Sequence, residues 1–286
     1  MKRDRLSALI DRFSLQAGVF YNGTLCGIES FGEEQQGYIH LLRRGQMRVR
    51  LTDGTTLPVS GPCLMYCPRA LAHRFEIDEG DDVELTCATL KIESGLGNPI
   101  SGAIPDIVVL QCAELPDAKP LLDFLLAEAA TYREGRIAAL NRLFELVVIQ
   151  VLRFLISQGQ ATSGLLAGLA DPRIALALEA VHEHPELAWT IEQMADTAGM
   201  SRARFADHFR RVVQVTPLNY LTDWRLTLAQ QMLLSGRSMK LIAGDVGYES
   251  ASALARAFRR RLGCSPIAWL ESQRKREAGG GLIGSH

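Results

Sequence analysis

No stretch of this chain reaches the ~18–20 consecutive apolar residues that a bilayer-spanning helix needs. The opening residues, Met1-Lys2-Arg3-Asp4-Arg5, are charged, and no apolar segment of leader type follows them. No secretory signal is therefore expected, which points to a cytoplasmic protein. Cysteine is scarce, with six among 286 residues, and in such a compartment thiols stay reduced by default. Net charge is almost missing as well, at −1 for the whole chain.

That near-neutrality conceals a division. Residues 1–160 carry 16 Lys and Arg against 20 Asp and Glu, a balance of −4, whereas residues 198–276 carry 14 against 5, a balance of +9. An excess of this size on one segment fits a polyanionic partner better than a merely solvated surface. The length suits two domains, and an apolar fraction of 47% can fill two cores.

Between about Thr190 and Gln273 one pattern occurs twice. The first copy places Ile191, Met194, Ala195, Ala198, Gly199, Met200, Ser201, Phe205, Phe209 and Arg210 before Val215-Thr216-Pro217. The second places Met239, Ile242, Ala243, Val246, Gly247, Tyr248, Glu249, Ser250, Leu254, Phe258 and Arg259 before Cys264-Ser265-Pro266. The offset is 48 residues up to the glycine and 49 afterwards, so the second turn holds one extra residue.

Each copy reads as helix, glycine turn, helix. Thr190 and Gln193 form a capping box, and Gly199 or Gly247 ends a helix in the left-handed geometry that glycine adopts cheaply. Ser201 or Ser250 then caps a second helix whose inward positions are Phe205 and Phe209, or Leu254 and Phe258. This is a helix-turn-helix, whose second helix fits a DNA major groove. An ordinary pair of helical hairpins would require neither the repeat nor the cationic excess.

The second copy, Ile242-Ala243-x-x-Val246-Gly247-Tyr248-x-Ser250-x-Ser252-x3-Arg256-x-Phe258-Arg259-x3-Gly263-x-Ser265-Pro266, resembles the signature of AraC/XylS-type transcription regulators over roughly the last hundred residues. The resemblance implies double-stranded promoter DNA as a partner, a homodimer, and contact with RNA polymerase.

Residues 1–20 read as an amphipathic helix carrying Leu6, Leu9, Ile10 and Phe13. From Val19 to Ile92 short alternating or β-branched segments follow: Gly18 to Cys26, Tyr38 to Leu42, Gln46 to Leu51, Cys63 to Tyr66, His73 to Ile77 and Val83 to Leu90. Arg44-Gly45, Asp53-Gly54 and Glu79-Gly80 signal turns. Strands at this spacing suggest an antiparallel sandwich or jelly roll. Gly37-Tyr38-Ile39-His40-Leu41, Gly45, Gly61-Pro62 and Pro68-Arg69-x3-His73 are similar to the small cupin barrel that some members of the family carry.

Residues 119–158 return to helix, with Leu121, Leu122, Leu125 and Ala129 on one stripe. Leu140, Leu143, Phe144, Val147, Val151, Phe154 and Leu155 form another, and Val148, Ile149 and Leu152 are apolar too. A helix greasy nearly all round buries more than one side. Two uses fit: packing against the barrel, or a homodimer interface, which the family resemblance favours. Gly, Ser, Thr and Gln between Ser157 and Leu169 suggest a linker. Asp171-Pro172 opens a helix through Glu183, and Pro217 opens a rod to about Ser235 that spaces the two reading helices for successive turns of one groove.

The DNA-contact candidates are Arg202, Ala203, Arg204, Asp207, Arg210 and Arg211 on the first reading helix, and Ser252, Arg256, Arg259 and Arg260 on the second. Arg256 suits a bidentate guanine contact, with Arg204 and Ser252 next. Arg210, Arg211, Arg259 and Arg260 suit phosphates. Asp207 stands where the second copy has Arg256; it either accepts from a cytosine amino group or pairs with Arg204 or Arg211, and the pairing is favoured.

Cys26, Cys63, Cys67, Cys87, Cys112 and Cys264 act by default as small hydrophobes, Cys264 being read as structural. Two sharper readings stay open. Cys26 and Cys87 fall where a similar reactive-chlorine-responsive, cupin-bearing branch of the family has its sensing thiols, so they are candidate redox sensors. His40, Cys63, Cys67 and His73 are types that bind zinc, yet Leu42 stands where metal-binding cupins place a second histidine. A small ligand in the barrel is a further possibility, with Arg48, Arg50, Arg69 and Arg74 as counter-charges.

The expectation is an α+β chain: a cupin-like sensor over 1–115, a helical dimerisation segment over 116–158, a linker over 159–170, a DNA-binding domain with two helix-turn-helix motifs over 171–276 and a disordered tail over 277–286. It is read as a DNA-binding transcription regulator and not as an enzyme. No cofactor and no membrane partner are expected, and the input is an oxidant or a small-molecule effector. The rival is a metal-dependent cupin enzyme with an appended helical domain; it lacks the histidine–carboxylate set such chemistry uses.

Overall fold

The structure, a computed structural model, describes residues 6, 10, 15–32, 36–92, 104–158 and 163–279. These fall into two compact units, one ahead of residue 162 and one after it.

The first unit contains nine strands among its described residues: β1 (Leu15–Leu25), β2 (Ile28–Phe31), β3 (Gly37–Arg44), β4 (Gln46–Leu51), β5 (Thr56–Ser60), β6 (Cys63–Cys67), β7 (His73–Glu76), β8 (Val83–Ile92) and β9 (Val108–Gln111). They form a five-stranded sheet ordered β1-β8-β3-β6-β9 and a four-stranded sheet ordered β2-β7-β4-β5. All their pairings are antiparallel. Gly45, Gly54 and Gly80 hold φ of 94°, 89° and 94° at the expected turns, a region costly for residues with a Cβ.

Register decides which side chains share a face. On β3, His40 lies opposite Met65 and Cys87, Tyr38 opposite Cys67 and Thr89, and Leu42 opposite Cys63 and Leu85. Leu42, Cys63, Met65, Leu85 and Cys87 join Met47, Val49, Val59 and Phe75 in one apolar core. Ile39, Leu41, Leu64 and Tyr66, on the opposite face of β3 and β6, are equally buried. A strand buried on both faces reads as an unbroken apolar run, as β3 does.

Two helices close this unit, α1 (Lys119–Ala130) and α2 (Arg136–Ser157). Strand β1 is an edge of its sheet, and edge N–H groups need partners. Asn141 Oδ1 of α2 accepts from Val19 N at 2.8 Å and Glu145 Oε1 from Ala17 N at 3.2 Å, while Asn22 Nδ2 donates to Ala129 O at 2.8 Å. Packing of α2 against the barrel is therefore realised, with Asn141 and Glu145 meeting the edge of β1.

Several expectations need correction. Residues 15–20 belong to β1 and not to an amphipathic helix; Leu6 and Ile10 are helical, and Leu9 and Phe13 lie outside the described residues. Strands β2, β5 and β9 were not anticipated. Pro58 argues against a strand by composition, but β5 is an edge, where a missing N–H is tolerated.

The second unit contains α3 (Gly164–Ala170), α4 (Ile174–Glu183), α5 (Ile191–Thr197), α6 (Arg202–Val213), α7 (Pro217–Leu234), α8 (Met239–Asp245), α9 (Ala251–Leu262) and α10 (Pro266–Gly279). Helix α3 overturns most of the expected linker. Leu165, Leu166 and Leu169 are buried, and Gly168 is so tightly held that a Cβ would fall 2.7 Å from Leu178 Cδ1. Small residues that read as linker here permit close helix packing. Residues 159–162 lie outside the described residues. The expected tail begins as helix through Gly279, and 280–286 lie outside the described residues as well.

Candidate nucleic-acid interface

The two copies fold alike. In the first, Gly199 N donates to Asp196 O at 3.0 Å and Met200 N to Ala195 O at 2.9 Å; in the second, Gly247 N donates to Gly244 O at 3.1 Å and Tyr248 N to Ala243 O at 2.8 Å. Both glycines are left-handed, with φ of 62° and 78°. The capping box is present: Gln193 N donates to Thr190 Oγ1 and Thr190 N to Gln193 Oε1. Ser250 accepts from Ala253 N at 3.2 Å, whereas Ser201 sits at the cap position without a side-chain capping bond.

The second helix of each copy, α6 and α9, buries the predicted apolar side: Phe205 and Phe209, and Leu254 and Phe258. Arg202, Ala203, Arg204, Asp207, Arg210 and Arg211 on α6 are exposed, as are Ser252, Arg256, Arg259 and Arg260 on α9. Arg202 Nε lies 2.8 Å from Glu192 Oε1. Among the described residues Arg204, Arg210, Arg256, Arg259 and Arg260 form no ion pair. The favoured pairing of Asp207 is not formed: no ion pair engages it among the described residues, and Arg211 Nη2 donates to His208 Nδ1 at 2.8 Å instead.

Asp171, expected at the start of its helix, is joined by His208, Asp223, Arg225 and Arg261, which sequence reasoning missed, in holding the two motifs. Asp171 Oδ1 accepts from Arg173 N and Ile174 N, both at 2.9 Å, and Asp171 Oδ2 lies 2.6 Å from His208 Nε2. Arg261 meets Asp223 through two contacts of 2.5 Å, tying α9 to α7. Arg225, also on α7, donates to Pro185 O and Leu187 O at 2.7 and 2.6 Å. Burial holds its guanidinium below the ordinary value, with Tyr248 and Glu186 opposing that. Apart from the local bonds of Asp171 to Arg173 and Ile174, these partners lie 37 to 40 residues apart, so periodicity carries no sign of them.

In the first unit the weak metal candidates separate into two groups. His40 and His73 meet, Nε2 to Nε2, at 3.1 Å, inside a box of Phe31, Tyr38 and Phe75. Burial lowers both imidazole pKa values, well below the ordinary range for His40. Cys63 and Cys67 are buried thiols whose pKa burial pushes up to about 12, protonated forms that are poor metal ligands. Among the described residues no group of three or more His, Cys, Asp or Glu gathers at metal-binding range.

Cys26 is exposed at the end of β1, and Cys87 is buried in β8, where burial raises its thiol pKa. Leu25 pairs with Val83, so Cys87 lies about 13 Å further along the strand, against the 4.4–6.8 Å Cα separation of a disulfide. The arginines suggested as counter-charges face outward. Arg48 forks onto Asp78 at 2.6 and 2.7 Å, Arg50 lies 3.5 Å from Glu76, Arg69 pairs with Asp106, and Arg74 is exposed. They do not line the barrel.

Comparison with known proteins agrees on both units. The family described as Cupin matches residues 4–157, and the one described as Helix-turn-helix domain matches residues 194–272. The chain is 34% identical over 245 residues to an AraC-like transcription regulator of Streptomyces lividans, covering 84% of this chain and 80% of that one. It is 28% identical over 261 residues to the HTH-type transcriptional regulator AlkR of Acinetobacter baylyi, covering 79% and 85%. Against the RCS-specific HTH-type transcriptional activator RclR of Escherichia coli it is 28% identical over 241 residues, covering 82% and 84%.

Proposed function

Because this chain belongs to the AraC-like transcription regulators, with a cupin domain ahead of a helix-turn-helix domain, we propose that it reads promoter DNA with α6 and α9 together. In this reading Arg256 takes a guanine edge and Arg204 and Ser252 add base contacts. Arg210, Arg211, Arg259 and Arg260 hold phosphates. The observation that carries it is the exposed row of arginines on two helices that share one turn geometry.

The rest of the assignment follows the same logic. A homodimer forms through the outer side of α2, where Ile137 and Leu146 are exposed beside Arg142 and Arg153. RNA polymerase is the downstream partner, and the cytoplasm is the compartment. The cupin unit takes the input, either an oxidant at Cys26 and Cys87 or a small ligand, and shifts the population of domain arrangements. That the relatives are transcription regulators favours this reading over a metal-dependent cupin enzyme.

The test is binding of the full chain to a pool of random duplexes at several salt concentrations. Enrichment of one sequence, with affinity falling linearly in log salt, is the expected result. Binding indifferent to both sequence and salt would sink it.

A further inference from the structure

Helix α7 carries one side chain that belongs to neither reading helix yet touches both halves of the interface. Arg225 Nε donates to Pro185 O at 2.7 Å and Nη2 to Leu187 O at 2.6 Å, both in the irregular stretch leading into the first motif. The same guanidinium lies 5.7 Å from the ring centroid of Tyr248, in the turn of the second motif. Gly247 of that turn comes so close that a Cβ there would fall 2.6 Å from Arg225 Nη2, 2.7 Å from Glu186 O and 2.8 Å from Pro185 O. One guanidinium thus sits between the turn of the second motif and the lead-in to the first.

A planar fork with several fixed donors constrains orientation as well as distance, which a single ammonium does not. Leu187 O also accepts from Trp189 N at 2.8 Å, whereas Pro185 O, outside any helix, gains in Arg225 a donor that it would otherwise take from water. The Asp223–Arg261 pair fastens α9 to the same helix two residues away. We infer that Arg225 is a positioning residue for two-site DNA recognition, fixing the second reading helix relative to the first so that both meet one duplex in a single event. This rests on the DNA-binding reading above.

The consequence is a matter of effective concentration. With the two readers held rigidly, engagement of one presents the other already in place; with slack between them, the second engagement loses conformational freedom each time. Loosening the clamp should therefore weaken a duplex carrying both half-sites far more than a duplex carrying one.

The test starts from the duplex that the wild-type full chain selects from a random pool, and scrambles each half of it in turn. Arg225→Met, Arg225→Lys and Gly247→Ala are then compared on the intact and half-scrambled duplexes, with thermal melting as the check on folding. The expected result is at least a tenfold loss on the intact duplex and under twofold on each half-scrambled one. Arg225→Lys should be intermediate, because an ammonium cannot span both carbonyls, and the slope of affinity against salt should fall in parallel. Equal proportional losses on all duplexes, or none on any, would overturn the positioning role. Failure of the wild-type chain to select a duplex would instead strike the DNA-binding reading itself.

Discussion

The ring nitrogens of His40 and His73 face each other, Nε2 to Nε2, 3.1 Å apart in a box closed by aromatic rings. His73 Nδ1 lies 2.7 Å from Leu71 O, which makes it the donor there and leaves Nε2 as an acceptor. His40 Nε2 must then carry the proton between the rings, and His40 Nδ1 is left buried without a partner among the described residues. The arrangement needs both rings neutral.

Acid should therefore loosen the first unit. Both folded pKa values are lowered, so the unfolded chain binds protons first, and stability falls as pH drops below the unfolded histidine value of ~6.5 toward the folded values. Each histidine contributes a slope of up to about 1.4 kcal/mol per pH unit in that window. Melting of the full chain should fall between pH 7.5 and 5.5, and His40→Leu should flatten the fall. An identical slope in His40→Leu would remove the pair as its cause.

Thiol accessibility should divide the cysteines. Cys26 is exposed, while Cys63, Cys67 and Cys87 are buried and their thiols raised by that burial. A maleimide reagent at neutral pH should modify Cys26 within minutes and leave the buried three intact until the unit opens. Mass mapping of the labelled peptides gives the order. Labelling of Cys87 as fast as Cys26 would mean that β1 and β8 part readily, and would favour a direct disulfide between the two.

Base readout and phosphate holding should come apart on α9. Arg256→Ala is expected to flatten sequence preference by about 1–3 kcal/mol at one base pair. Arg259→Ala should weaken all duplexes alike and lower the salt slope by about one unit. Titrations against the selected duplex and a scrambled one, at several salt concentrations, separate the two. Matching losses on both duplexes for both variants would contradict the division.

Local pattern was readable and distant pairing was not. Thr190, Gln193, Gly199, Gly247 and the inward phenylalanines were legible because each does its work within one or two turns of its own position. Strand β5 was hidden by Pro58, whose acceptability depends on an edge position that only the sheet order reveals. Helix α3 was hidden by small residues that look like linker until Leu178 and Val213 are seen against Gly168. Asn141, Glu145, Asp223 and Arg225 look like ordinary polar positions on a helix. Their partners lie 38 to 128 residues away.

Gln230 should leave the second unit less stable than its fold allows. The side chain is buried on α7, and neither amide atom has a hydrogen-bond partner among the described residues. A buried amide without partners costs about 1–3 kcal/mol. Gln230→Met, close in volume, should raise the melting temperature and leave duplex affinity unchanged. A drop in stability would show that the amide has partners, ordered water among them, that the substitution removes.

Asp171 performs two tasks, and they can be measured separately. Its Oδ1 caps α4 through Arg173 N and Ile174 N, and its Oδ2 orients His208, which in turn receives Arg211. Burial alone would raise the carboxyl pKa, but the Ile174 N–H, His208 and the Arg173 N–H together bring it below the ordinary value. A depressed carboxylate stabilises the fold at pH values above its unfolded pKa of ~3.9, and that contribution disappears as pH falls through the folded value. Asp171→Ala removes both tasks and should cost about 1–2 kcal/mol at neutral pH. Asp171→Asn keeps an oxygen for the backbone and loses only the charge facing His208, so it should retain most of that stability. Duplex affinity should respond in the other order: His208→Ala and Asp171→Asn both release Arg211, and both should change the salt slope more than they change melting. Were Asp171→Asn to melt as low as Asp171→Ala, the cap would not be what holds the start of α4, and the contact of the Asp171 carboxylate with His208 would have to take its place.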